Sequence, residues 1–163
     1  MPAVQSMKVP VTQAVRFLRA NKIEFVPHLF EYVEKGGASH SAEVLGLDEH
    51  SVIKTLIFET TEGDPVAVLM HGGKEVSEKN LARHLGVKSV SPASQQNAQK
   101  WTGYIFGGTS PFGMKREMPV FAESTIFGLE KIWINGGKRG FLVEIEPSDL
   151  KRSLEVIEVE LAI

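Results

Sequence analysis

Two glycine pairs constrain this chain more than any other feature. Gly107-Gly108 follows the apolar run Tyr104-Ile105-Phe106, and Gly136-Gly137 follows Ile132-Trp133-Ile134. Glycine allows backbone conformations closed to other residues and close approach of the main chain to a neighbour or ligand. Consecutive amides in such turns can line a concavity that takes an oxyanion or a carbonyl oxygen. The plainer expectation is that both pairs are tight turns that end strands. Each is followed by basic residues, Lys115-Arg116 in the first case and Lys138-Arg139 in the second.

Around these pairs the chain reads as short strands alternating with short helices. Thr12 is placed to cap a first helix ending near Asn21, with Val15 and Leu18 on one face. Phe25 to Val33 reads as a strand, at an edge because of Pro27. Ser39 or Ser41 can cap a helix over 42–45 that Gly46 ends. Strands are expected over 51–60 and, apolar almost throughout and so buried, over 65–70. Ser77 opens a helix that Gly86 stops, a short strand follows over 87–90, and Ser94 begins another helix to Lys100. The remainder predicts strands over 119–122, 131–134, 141–145 and 156–161, with a helix from Pro147 to Leu154. That pattern specifies an α+β fold: one domain with a curved, barrel-like, mixed or antiparallel sheet and several short helices around it. Met1 to Val9 is expected to be a loose tail and 10–163 the folded unit.

Bulk properties set outer limits. The chain has 163 residues, 42% of them hydrophobic and 23% charged, and a formal net charge of −2. That balance argues against a protein that grips nucleic acid by overall charge, but leaves room for a local basic rim. The absence of cysteine removes disulfides, a thiolate nucleophile and thiolate zinc sites. No run of 18 apolar residues suggests a membrane span, and the first nine residues lack the apolar centre of a secretory signal. The five histidines form no tight ligand pair, so no metal is expected. A cytoplasmic protein without membrane or DNA partners is the simplest expectation.

Lys54 is the most informative single residue. On the strand it shares a face with Leu56 and Phe58, and its neighbours Ile53 and Thr55 point the other way. Its ammonium either snorkels to solvent from a strand end or points into a pocket, where it would bind a carboxylate, phosphate or carbonyl oxygen. Ser110 is a tempting nucleophile, but its setting is not the Gly-x-Ser-x-Gly elbow. His28 and His71 are the two histidines worth testing for substrate contact. Trp101, Tyr104 and Phe112 serve equally as core aromatics or as surfaces for stacking on a base.

Val52-Ile53-Lys54-Thr55-Leu56, Thr102-Gly103-Tyr104, Gly107 to Gly113 and Gly136 to Gly140 occur in the order and spacing of the YbaK/EbsC family. The chain resembles that family from about Thr12 to about Leu154. These are free-standing aminoacyl-tRNA deacylases related to the editing insertion of bacterial prolyl-tRNA synthetases. The resemblance implies a trans-editing hydrolase that removes a small, wrongly attached amino acid from tRNA, in particular tRNA for proline, with no cofactor. It implies catalytic roles for Lys54, Gly107 and Gly108. Substrate contacts fall to Thr109, Ser110, Pro111, Phe30, His28, Gly136, Gly137 and Leu142, and tRNA contacts to Lys115, Arg116, Lys138 and Arg139. The partners implied are the acceptor end of aminoacyl-tRNA and an aminoacyl-tRNA synthetase. The chain departs from the pattern at Leu142, where an acidic residue is frequent, and at Phe30, where an aromatic hydroxyl is common. Both make the pocket more apolar and leave open an alternative, a non-catalytic module that binds tRNA or a synthetase through the same pocket.

Overall fold

The computed structural model describes residues 8–163, so the tail expected over 1–9 lies outside the described residues except for its last two. Among the described residues are five α-helices and eight strands. The helices are α1 (Gln13–Ala20), α2 (Gly37–Leu45), α3 (Glu78–Leu85), α4 (Gln95–Thr102) and α5 (Ser148–Ser153). The eight strands are β1 (Val26–Leu29), β2 (Val52–Thr60), β3 (Pro65–His71), β4 (Val90–Pro92), β5 (Val120–Glu123), β6 (Ile132–Lys138), β7 (Phe141–Ile145) and β8 (Val156–Val159). Their pairing runs β1-β7-β6-β2-β3-β5-β8, with β4 added to the end of β2. The sheet is mixed: β2 with β6, β3 with β5 and β5 with β8 are parallel, and the other pairs are antiparallel. Because the path begins at β1 and stops at β8, it does not close into a barrel.

β3 is the centre of the molecule, and all seven of its residues are buried. Its alternating side chains feed two cores. Ala67 and Leu69 join Leu18 of α1 and Leu150 of α5 on one face. Val66, Val68 and Met70 meet Leu81 and Ala82 of α3 on the other. A strand covered on both faces has no need of polar alternation, which is why its sequence is a nearly continuous apolar run. A third, small cluster joins Val52 of β2, Leu142 of β7 and Ala42 of α2.

The caps explain most helix boundaries. Thr12, Ser77 and Ser94 each accept a backbone N–H in the first turn of their helix, and Gly86 closes α3 in a left-handed conformation. The helix expected over 42–45 differs. It begins at Gly37, follows Gly36 without a side-chain cap, and carries Ser41 inside it, where the hydroxyl donates to the Gly37 carbonyl. The first strand is shorter than expected and stops at Leu29. The short strand expected over 87–90 forms instead over Val90–Pro92, where β2 offers partners. Among the described residues no helix is long and apolar enough to cross a membrane.

Neither glycine pair ends a strand. Tyr104 to Phe106 is irregular chain after α4, and Gly136-Gly137 lies inside β6 at a register shift between Asn135 and Lys138. Gly136 is there because of space. A Cβ at this position would stand 2.4 Å from Cε2 of Phe141, a ring with no exposed surface. Gly136→Ala is therefore expected to destabilise the fold by about 1–3 kcal/mol through overpacking. Chemical denaturation measures this, and an unchanged midpoint would refute the packing argument.

Candidate active site

A cavity opens where two parallel strands part. β2 and β6 pair only through Val52 with Trp133 and Ile53 with Ile134. Beyond Ile53, β2 stays with β3, whereas β6 turns off through its bulge at Asn135. Space beyond the carboxyl ends of diverging strands is a recurrent place for ligands, because the backbone there is no longer shared between neighbours. The cavity measures about 430 Å³. Lys54, Thr55 and Leu56 line it from β2, Leu142 from β7, and Phe30 from the chain just after β1. The start of α2 and the segment from Phe106 to Thr109 complete the wall.

Lys54 is half-buried, and its Nζ donates a hydrogen bond to the carbonyl of Lys74. Burial pushes its pKa below the usual value of 10.5, and the carboxylates of Glu75 and Glu49 partly offset that shift. An ammonium in such a setting is desolvated enough to interact strongly with an introduced oxygen. Beside it, Thr55 Oγ1 is shut off from solvent and has no hydrogen-bond partner among the described residues. A buried polar atom without a partner costs stability, and its lack of solvent access keeps it out of a ligand's reach.

Asn135 fixes the opposite wall. Its Nδ2 donates to the Gly107 carbonyl at 3.1 Å, and its Oδ1 accepts from the amides of Gly137 and Lys138 at 2.6 and 3.1 Å. One side chain thus ties the β6 bulge to the Gly107 segment. The amides of Gly137 and Lys138 are consumed in this, so the second glycine pair does not form an anion-binding nest. Thr12 accepts from Val15 and donates to the Gly136 carbonyl, which fastens the same bulge to α1.

The expected site residues separate into two groups. Lys54, Gly107, Thr109, Phe30 and Leu142 come together around the cavity. Gly108 is buried beside it, but its amide already donates to the Ile105 carbonyl at 2.9 Å. Of the loop residues that line the cavity, Gly107 and Thr109 have amides with no protein acceptor among the described residues. Ser110 is fully buried with Oγ accepting from Phe112 N, and Pro111 borders a different groove. Gly136 and Gly137 are outside the lining because they serve packing against Phe141, Tyr104 and Thr12. His28 is engaged with Glu144 at 2.9 Å and is also outside it.

His71 is structural as well. It is buried, stacks on His50 with centroids 3.7 Å apart, donates from Nδ1 to the His50 carbonyl and lies 2.7 Å from Thr125 Oγ1. Desolvation lowers its pKa. Trp101, Tyr104 and Phe112 are core residues at 7%, 5% and 0% exposure. The Tyr104 hydroxyl donates to the Phe112 carbonyl, and burial raises its pKa. Of the basic residues, Arg139 donates from Nε to the Phe106 carbonyl at the cavity's edge, and exposed Lys138 precedes it. Arg116 instead lies 5.9 Å over the Trp101 ring and borders another groove, with Lys115 next to Gly103.

Asn135, Tyr32, His40 and Phe106 also line the cavity and were not singled out from sequence. Alternation along β2 gave a usable signal for Leu56, but the same pattern put Phe58 on the Lys54 face, and Phe58 packs in the core.

Comparison with known proteins agrees with this geometry. The family described as the aminoacyl-tRNA editing domain matches residues 35–153, which include every strand from β2 to β7 and the cavity wall except Phe30, Tyr32 and Val33. The chain belongs to the aminoacyl-tRNA editing domain family. A relative from Enterococcus faecalis, named "Putative Cys-tRNA(Pro)/Cys-tRNA(Cys) deacylase EbsC", is 31% identical over 83% of this chain and 84% of its own length. A proline--tRNA ligase of Ligilactobacillus salivarius is 36% identical over 61% of the chain, which corresponds to only 17% of that ligase. The solved structure of "a putative trans-editing enzyme for prolyl tRNA synthetase" shares the fold, with a TM-score of 0.81, 20% identity and coverage of 96% of this chain and 99% of that one.

Replacing Asn135 by alanine would leave two amides and a carbonyl unpaired. A loss of about 1–3 kcal/mol is expected, together with faster hydrogen exchange at the amides of Gly137 and Lys138. Unaltered exchange at both would show that the side chain does not hold the bulge.

Proposed function

We propose that this protein is a trans-editing aminoacyl-tRNA deacylase that hydrolyses the ester between a small, wrongly attached amino acid and tRNA, foremost tRNA for proline. The carrying observation is the placement of a half-buried lysine and of two loop amides without protein acceptors, those of Gly107 and Thr109, around one cavity of an editing-domain fold. The names of the relatives support the choice of ester and of tRNA.

In the reaction, water adds to the ester carbonyl, the carbonyl carbon–ribose oxygen bond breaks, and a proton passes to the ribose oxygen. Free amino acid and tRNA result. Negative charge grows on the carbonyl oxygen as water adds, so donors fixed beforehand near that oxygen lower the barrier. The Lys54 ammonium and the amides of Gly107 and Thr109 are the donors the cavity offers. Lys54 acts here as a cation and not as a base, a role that needs no unusual proton transfer. A positioned ester needs no covalent intermediate, and buried Ser110 is not placed to form one. Lys138 and Arg139, exposed beside the Gly107 segment, meet the phosphates near the acceptor end. The working unit runs over 10–163 and acts in the cytoplasm, where tRNA is charged.

The apolar wall suits a small side chain. Leu142 is buried with Val52 and Ala42, so side chains are admitted by size and shape.

A panel of tRNA carrying alanine, serine, threonine or cysteine tests this reading. Wild-type protein should clear one or two of the four, and Lys54→Ala should slow that clearance about a hundredfold, the usual cost of one oxyanion donor. Equal rates for the two proteins would sink the assignment of Lys54. The enzyme-dependent rate should also fall on the alkaline side with a midpoint below 10.5, because the lysine's pKa is lowered and its charge is lost early as pH rises.

A further inference from the structure

Phe106 is the one aromatic among the exposed large apolar side chains of the described residues, at 59% exposure. It is also, with Val33, one of two such side chains that line the cavity. A single exposed phenylalanine needs no explanation by itself. Its backbone, however, is held from both ends by side chains. The Phe106 amide donates to Gln99 Oε1 at 3.1 Å, and its carbonyl accepts from Arg139 Nε at 2.8 Å. The Arg139 guanidinium is itself held 4.8 Å over the Tyr32 ring. Tyr32 in turn abuts Gly107, where a Cβ would lie 2.6 Å from the Tyr32 hydroxyl. Three separate segments thus hold the backbone that carries this exposed aromatic ring at the lip of the cavity.

We infer that the Phe106 ring is the stacking platform for the 3′-terminal base of the acylated RNA. This rests on the deacylase reading above, because the occupant follows from the connectivity of its substrate. With the amino acid inside the cavity, the ester places the terminal ribose at the opening and the base one glycosidic bond farther out. An aromatic face there offers a base a π-surface without selecting its edge pattern. Lys35, which lines the cavity, and Lys138 and Arg139 beside it give the lip a positive character suited to the adjoining phosphate. Holding the backbone of Phe106 in place beforehand reduces the ordering cost of binding.

The test compares wild type, Phe106→Ala and Phe106→Trp, with melting temperature as a control for folding. Single-turnover hydrolysis would be followed against enzyme concentration, using the acylated tRNA that the wild type clears fastest. Phe106→Ala should raise the half-saturating concentration roughly tenfold, the size of one lost base–aromatic stack, and Phe106→Trp should restore it. The effect should fall on half-saturation and not on the rate at saturation. A nuclear magnetic resonance titration with the unacylated trinucleotide CCA reads the platform without hydrolysis, and the same weakening is expected there. If the wild type clears no acylated tRNA but CCA binding still depends on Phe106, the deacylase reading fails and the platform stands. If hydrolysis is normal and neither assay responds to Phe106→Ala, the platform falls and the deacylase reading stands. Equal slowing of Phe106→Ala on the ethyl ester of the same amino acid, which carries no base, would also overturn the platform.

Discussion

The parting of β2 from β6 after Ile53 and Ile134 is the constraint on which the site depends. Two parallel strands that remained paired would exchange hydrogen bonds along their length and leave no room between them. Here β6 is made to leave. Its bulge carries two residues too many, Gly136 and Gly137, for the register with β7, and a bulge bends its strand and raises local twist. The bend is fixed by Asn135, which supplies the acceptor that the displaced amides of Gly137 and Lys138 would otherwise lack. It is also fixed by the fully buried Phe141 ring, which occupies the place of a side chain at Gly136. The cavity is therefore a product of sheet geometry, and the loop from Phe106 to Thr109 is attached to it through the same asparagine.

Lys54 shows what such a site costs. A long cationic side chain on a strand usually lets its ammonium reach water. This one is half-buried, and its lowered pKa is the measure of what desolvation takes from the charged form. The fold offsets part of that cost with the Lys74 carbonyl and with the fields of Glu75 and Glu49. The segment that carries Lys74 and Glu75 is held in turn, since Glu75 pairs through both backbone groups with Ile163. Nearby, the buried Glu123 carboxylate accepts from the amides of Leu161 and Ala162. The C-terminal strand-like segment and β5 thus share in placing the acceptor of Lys54, far away in sequence from it.

Much of this was legible before the structure. The caps Thr12, Ser77 and Ser94 and the closing Gly86 gave three helices nearly to the residue, because a cap is a local event between neighbours. The apolar run over Pro65–His71 announced a doubly covered strand for the same kind of reason. Lys54, Gly107, Thr109, Phe30 and Leu142 line one cavity, and motif order reports that their segments converge. What the sequence does not carry are the features that depend on who occupies a hydrogen bond. The Gly108 amide is spent on Ile105 and the Gly137 amide on Asn135, and neither fact has a trace in the local sequence. Similarly, nothing in Tyr104-Ile105-Phe106 marks the first ring as core and the third as exposed. That division is made by the Phe112 carbonyl, which takes the Tyr104 hydroxyl inward, and by Gln99 and Arg139, which hold Phe106 at the rim.

The exchange of charge for hydrocarbon at the cavity wall bears on what the site can select. Leu142 closes a cluster with Val52 and Ala42, and Phe30 and Ala38 lean against it. An apolar wall distinguishes ligands by what fits, and one methylene in such a pocket is worth about 1–3 kcal/mol, a discrimination of roughly 10–200-fold. It gives weak rejection of an isostere that merely adds a hydroxyl, since no buried partner is left unpaired by its absence. The donors assigned to the ester oxygen in the proposed reaction, the Lys54 ammonium and the Gly107 and Thr109 amides, come from β2 and the loop after α4. In that reaction chemistry and selection occupy different elements. β2 and the loop supply the groups that meet oxygen, and β7 with the chain after β1 supplies the surface that measures the side chain. A substitution at Leu142 can change which ester is taken while leaving intact the donors that act on it.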